Sequence, residues 1–175
     1  LVALLLLGVP ATPGWSQDRA PVIEVGTAMG LSLLSGNGSS ISSLGLPGAV
    51  FPYAQPAVFF THIGPSGLLG EQQINILRLS NGSSTTLIGL ATRLGSVFGS
   101  SHARGGYAAV EGSLLHATSG SAGGDNTEFA VGAAAGYRLR VGTGLALRFE
   151  AHLRRWLDSD ITEIGIGLGV GGVVK

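Results

Sequence analysis

Residues 145–156 read LALRFEAHLRRW, a run in which apolar and charged residues take turns. Arg148, Glu150, His152 and Arg154 stand on every second residue, with Leu145, Leu147, Phe149, Ala151 and Leu153 between them. Side chains alternate between the two faces of an extended strand, so this segment carries one charged face and one apolar face. Two such unlike faces on one strand need two unlike surroundings.

The period-two signal recurs along most of the chain. In VIEVGTAMGLSLL, starting at Val22, the residues Ile23, Val25, Met29, Leu31 and Leu33 oppose Glu24, Gly26, Ala28, Gly30 and Ser32. In TTLIGLATRLGSVF, Ile88, Leu90, Leu94 and Phe98 oppose Gly89, Ala91, Arg93 and Gly95. In GYAAVEGSLLHA, Ala108, Val110 and Leu114 oppose Tyr107, Glu111 and Ser113. In TEFAVGAAAGYRLRV, Phe129, Val131, Ala133, Ala135, Tyr137 and Leu139 oppose Glu128, Gly132, Gly136, Arg138 and Arg140, and Gly142-Thr143-Gly144 then turns the chain into residues 145–156 as a hairpin. The final run alternates Ile164, Ile166, Leu168 and Val170 with Glu163, Gly165, Gly167, Gly169 and Gly171. Around 57–63 and 71–79 the apolar parity is ambiguous. The pattern predicts eight strands, at about 22–34, 57–63, 71–79, 85–97, 106–117, 127–140, 145–156 and 161–174. The connectors 35–56, 80–84, 118–126 and 157–160 fall on one side, and 64–70, 98–105 and 141–144 on the other. Ile41 to Leu46 is open to two readings, a short extra strand or a lid.

The choice of outer face sets the class. A soluble barrel would bury its Leu, Ile, Val and Phe and show water a surface of Gly and Ala with few charges, contrary to how soluble surfaces are built. A membrane barrel inverts this: the apolar face meets lipid, and the narrow interior of eight strands has room for small residues and a few paired charges. Inward parity then collects Arg93, Arg138, Arg140, Arg148 and Arg154 with Glu24, Glu111, Glu128, Glu150 and Glu163, five charges of each sign, and adds His152. These eleven residues form the expected lumen polar network. The fold class expected is all-β: an eight-stranded antiparallel up-and-down transmembrane β-barrel.

Bulk composition narrows the function classes. A chain of 175 residues is one domain's worth, and a formal net charge of zero with 11% charged residues gives no basic field for nucleic acid. There is no cysteine, which removes disulfides, thiol nucleophiles and thiolate zinc sites. The 30 glycines recur inside apolar runs, where each would weaken a helix. Residues 1–16, LVALLLLGVPATPGWS, have an apolar run of export-signal length followed by a Pro/Gly break, with Gly14 and Ser16 as small residues at a cleavage site. The expectation is a signal peptide over 1–16 and a barrel domain over 17–175.

Taken together, the leader, strand count, alternation, loop classes and lumenal Arg/Glu set resemble the small eight-stranded outer-membrane barrels of bacteria, of the OmpA transmembrane-domain and OmpX type. The resemblance covers about residues 22–174. It implies insertion into outer-membrane lipid by the barrel-assembly machinery, periplasmic termini and longer loops outside the cell, with Phe98 and Tyr137 near the periplasmic rim and Phe129 near the outer rim.

Candidate chemistry is thin. Some barrels of this size act on lipid A through His, Ser and a carboxylate at the lipid-facing edge, and His152 near Glu150 invites the comparison. Parity instead directs both inward, with no serine beside them on that strand. His62, His102 and His116 have no metal-ligand spacing, so no metal or cofactor is expected. Gly167, Gly169 and Gly172 match a dinucleotide fingerprint, but too little chain follows to supply its helix. Asn37-Gly38-Ser39 and Asn81-Gly82-Ser83 match glycosylation sequons and read better as turns. The favoured function is a non-catalytic barrel serving envelope integrity or surface interaction through its outer loops. A narrow porin-like channel for small solutes and a secreted soluble barrel that binds an apolar ligand are the alternatives.

Overall fold

The computed structural model describes residues 20–36, 39–45, 57–81, 83–101, 104–119 and 125–174. The expected signal peptide, His102 and the 46–56 part of the long connector lie outside these residues. Nine strands occur in them: β1 (Val22–Gly36), β2 (Ser39–Gly45), β3 (Ala57–Ile63), β4 (Leu68–Asn81), β5 (Ser83–Ser101), β6 (Arg104–Ser119), β7 (Asn126–Val141), β8 (Leu145–Trp156) and β9 (Thr162–Val174). Neighbours from β3 to β9 pair antiparallel in chain order, and β9 returns to pair with β1 from Ile23↔Val174 to Ser35↔Thr162, which closes the barrel.

Nine strands make eight staves. Along one edge β1 pairs first with β3, Val22↔Ile63 to Ala28↔Ala57, and then with β2, Gly30↔Gly45 to Gly36↔Ser39. The second stave is therefore built in two pieces that meet the first on either side of Met29. This corrects the expected 35–56 connector: its 39–45 portion is wall, the short extra strand that Ile41 to Leu46 left open. Elsewhere the strands run up to four residues beyond the expected ends, as in Ser83–Ser101, and tighten the connections to 64–67 and 102–103.

The alternation maps onto the wall as expected for an inverted barrel. Met29, Leu94, Val110, Val131, Phe149, Leu153, Ile166 and Leu168 face outward and are exposed. Ile88 to Phe98 on β5 spans ten residue steps, which at ~3.3 Å each and a tilt of ~40° gives an apolar band about 25 Å tall. At the upper end, which carries the 157–161 connection, the outward positions change together to Ser35, Arg78, Thr86, His116, Thr127, Arg155 and Thr162. Exposed Phe129 lies at this boundary, and exposed Phe98 and Tyr137 toward the lower end. Among the described residues no helix is long and apolar enough to cross a membrane.

The lumen has three layers. Leu87, Leu115, Ala130 and Trp156 form an apolar plug at the upper end, with Ala117 and Ile161 against it. Ile63, Leu69, Val97, Tyr107 and Ala109 form another at the lower end, with Val22. The charged residues are buried between them.

Candidate functional site

The central layer starts from register. Cross-strand pairing places Thr61 beside Glu71, Glu71 beside Arg93, Arg93 beside Glu111, Glu111 beside Gly132, Gly132 beside Arg154, and Arg154 beside Glu163. This row alternates in sign around the inner wall, the arrangement in which directly opposed side chains attract. Arg93 donates from Nε to Glu111 at 2.5 Å, and from Nη1 to Glu150 at 2.7 Å and to Glu71 at 3.1 Å. Glu71 also accepts from Thr61 Oγ1 at 2.7 Å, from Gln73 Nε2 at 2.6 Å and from Arg148. Arg154 donates across Gly132 to Glu111 and lies 3.4 Å from both oxygens of Glu163.

A second row sets Arg138 directly opposite Arg148, a like-charge pair that would repel if left alone. The two guanidinium groups diverge, Arg138 to Glu24 and Arg148 to Glu71, and Arg148 also stacks on the buried Phe59 ring at 4.2 Å. Tyr107 donates to Glu150 at 2.5 Å and Ser113 to Glu111 at 2.6 Å. Glu163 gathers Ser32 Oγ at 2.9 Å, His152 Nε2 at 3.1 Å and Trp156 Nε1 at 3.2 Å.

Glycine makes this packing possible. A Cβ on Gly165 would lie 2.3 Å from the His152 ring, on Gly171 2.7 Å from Glu24, on Gly136 2.8 Å from the Tyr107 ring and on Gly132 3.0 Å from Arg154 Cγ. Each of these inward glycines is a floor over which a long polar side chain from another strand lies. At Gly132 the link to the charges is direct: Arg154 reaches Glu111 because the residue between them in the register has no side chain.

Of the eleven residues expected in the lumen network, Glu24, Arg93, Glu111, Arg138, Arg148, Glu150, His152, Arg154 and Glu163 are buried in this layer. Arg140 and Glu128 keep inward parity but are half-buried near opposite ends of β7, where Arg140 donates to the Thr143 carbonyl. Sequence reading missed Glu71 because outward Gln72 and inward Gln73 blur the parity of β4. His62 and His116 point outward; His116 lies 2.9 Å from Thr127 Oγ1 and 3.1 Å from Thr118 Oγ1. No group of three or more His, Cys, Asp or Glu among the described residues has the geometry to hold a metal ion.

A closed eight-stave wall with lipid-type residues outside and a sealed ionic core inside is the architecture of a small outer-membrane barrel. No family model and no curated protein sequence matches the chain. Among solved structures the fold matches Ail, the attachment invasion locus protein of Yersinia pestis, at 15% identity and a TM-score of 0.58 over 90% of this chain and 100% of that one. The same protein in complex with the heparin analogue sucrose octasulfate matches equally, over 88% and 97%. Neisserial surface protein A matches at 12% identity and a TM-score of 0.57 over 87% and 96%. The chain thus has the fold of these barrels.

Proposed function

We propose that this chain is an integral outer-membrane barrel that performs no catalysis, and that contributes to envelope integrity or to surface interaction through its upper loops. The observation that carries the reading is the inversion of the wall: exposed Leu, Ile, Val and Phe surround a buried network of Arg and Glu, which suits lipid outside and is unsuited to water outside. Periplasmic termini, delivery of residues 17–175 after loss of 1–16, and insertion by the barrel-assembly machinery belong to the same proposal.

Two features support a structural role for the polar core. Ser32 and His152 both meet the same oxygen of Glu163, so the carboxylate lies between hydroxyl and imidazole. An activated serine needs the imidazole in the middle. The apolar plugs also close both ends of the ionic layer, which weighs against the channel reading. The sequence segments 35–56 and 80–84, strand residues included, are uncharged, while 118–126 and 157–160 contribute Asp125, Asp158 and Asp160 and no Lys or Arg. Such loops suit neutral or cationic partners better than a polyanion of the kind bound to Ail.

Single cysteines at the exposed positions Asp158 and Thr143 test the reading in intact Gram-negative cells with a membrane-impermeant maleimide. Labelling at Asp158→Cys, with Thr143→Cys labelled only after the outer membrane is permeabilised, is the expected result. Equal labelling at both, or recovery of the protein from the soluble fraction, would contradict it.

A further inference from the structure

One polar pair interrupts the middle of the apolar band. Gln72 on β4 and Thr92 on β5 are register partners, both outward and exposed, and Thr92 Oγ1 donates to Gln72 Oε1 at 2.9 Å. Along their strands they are flanked by Ile74 and Gly70 and by Leu90 and Leu94; across the sheet Phe60 lies beside Gln72 and Gly112 beside Thr92. A lone outward hydroxyl such as Thr27 can return its hydrogen bond to its own backbone. The Gln72 amide carries two N–H donors, and hydrocarbon offers no acceptor for either. A Cβ at Gly70 or Gly112 would meet nothing within 4 Å, so open space borders the pair on both sides.

We propose that this face binds a second copy of the same chain, with a two-fold axis along the membrane normal passing between β4 and β5. The argument is complementarity. Such an axis sets each Gln72 opposite the partner's Thr92 and each Thr92 opposite the partner's Gln72, as an isologous contact requires. Each threonine hydroxyl already donates to its own glutamine, and its oxygen retains lone pairs. It can therefore accept an amide N–H from the partner's Gln72. Four residues then close a ring of four hydrogen bonds, two within the copies and two between them. Glycines on either side let the walls approach, as small residues do wherever membrane segments associate by packing and hydrogen bonding. The inference rests on the membrane reading above.

The absence of native cysteine makes the test clean. Leu90→Cys would sit beside the axis, and Leu168→Cys on β9 would sit on the far wall. Both would be refolded into phosphatidylcholine vesicles at high lipid-to-protein ratio, with insertion checked by heat-dependent gel mobility, and then oxidised. The expected result is a disulfide dimer at Leu90→Cys and none at Leu168→Cys, together with dimer dissociation constants raised about tenfold by Gln72→Leu and by Thr92→Val, measured by energy transfer between labelled copies. Inserted protein that stays monomeric, cross-links equally at both sites, or dimerises undiminished as Gln72→Leu would overturn the proposal. Failure to insert at all would overturn the membrane reading with it.

Discussion

Glu71 is the residue on which the ionic core turns, and replacing it by glutamine is the sharpest perturbation of that core. The carboxylate accepts from Arg93 at 3.1 Å and from Arg148, and it takes neutral hydrogen bonds from Thr61 at 2.7 Å and Gln73 at 2.6 Å. Charge-assisted bonds contribute about 1.5–3 kcal/mol each and neutral ones about 1 kcal/mol. Glutamine keeps one acceptor oxygen but turns an amide N–H₂ toward donors. One guanidinium bond is lost and the other weakened. Arg148 is the group left exposed to this change: its Nη2 has no hydrogen-bond partner among the described residues, and its remaining carboxylate, Glu150, is 3.8 Å from Nε. A buried charge stripped of its partner costs about 3–5 kcal/mol, and Glu71→Gln is expected to destabilise the barrel by that amount. Removing the stranded cation as well, in Glu71→Gln/Arg148→Met, should recover about 2 kcal/mol relative to the sum of the single changes. Equilibrium urea unfolding in lipid vesicles, followed by tryptophan fluorescence and by gel mobility, measures both quantities. A loss under about 1 kcal/mol for Glu71→Gln, or strict additivity in the double variant, would refute the view that these charges act as one network.

Three further outcomes follow from the packing. Gly165→Ala should destabilise by about 1–3 kcal/mol in the same unfolding assay, because its methyl would sit 2.3 Å from the His152 ring, whereas Gly144→Ala in the turn before β8, with nothing within 4 Å, should change stability by less than about 0.5 kcal/mol. Phe149→Arg places a cation on the lipid face and should cost about 2–4 kcal/mol if the site lies near the midplane. In planar bilayers the native protein should show no steady unitary current, since apolar plugs close both ends of the ionic layer; a persistent ohmic pore would contradict that packing.

Much of the wall was legible because one rule, alternation, governs β1 and β5 to β9, and any slip in register would turn charges toward lipid. That rule placed Arg148, Glu150, His152 and Arg154 on the inner face from sequence alone. It failed where a face is mixed. Gln72 points outward among apolar neighbours while Glu71, Gln73 and Asn75 point inward, so β4 carries polar residues on both sides and Glu71 was not singled out. It also failed at the ends of the lumen, where Trp156, Leu115 and Leu87 are apolar and inward because the layer there is a plug. The split second stave was beyond local pattern, since β2 and β3 become one stave only by pairing with the same edge of β1. The role of glycine as a floor for long side chains depends on contacts between strands, and composition showed only that glycine was abundant.

The inversion of the wall can be tested with tryptophan as the probe. The chain has two tryptophans, Trp15 and Trp156, and Trp156 is 3% exposed and faces the lumen, whereas Phe149 is 53% exposed on the outer face. Two variants refolded into vesicles with brominated acyl chains would be compared: Trp15→Phe, which leaves Trp156, and Trp15→Phe/Trp156→Phe/Phe149→Trp, which moves the probe to the outer wall. Strong quenching of the Phe149→Trp variant with little quenching of Trp156 is the expected result. Stronger quenching of Trp156, or no quenching of either in folded protein, would contradict a barrel that turns its apolar face to lipid and its charges inward.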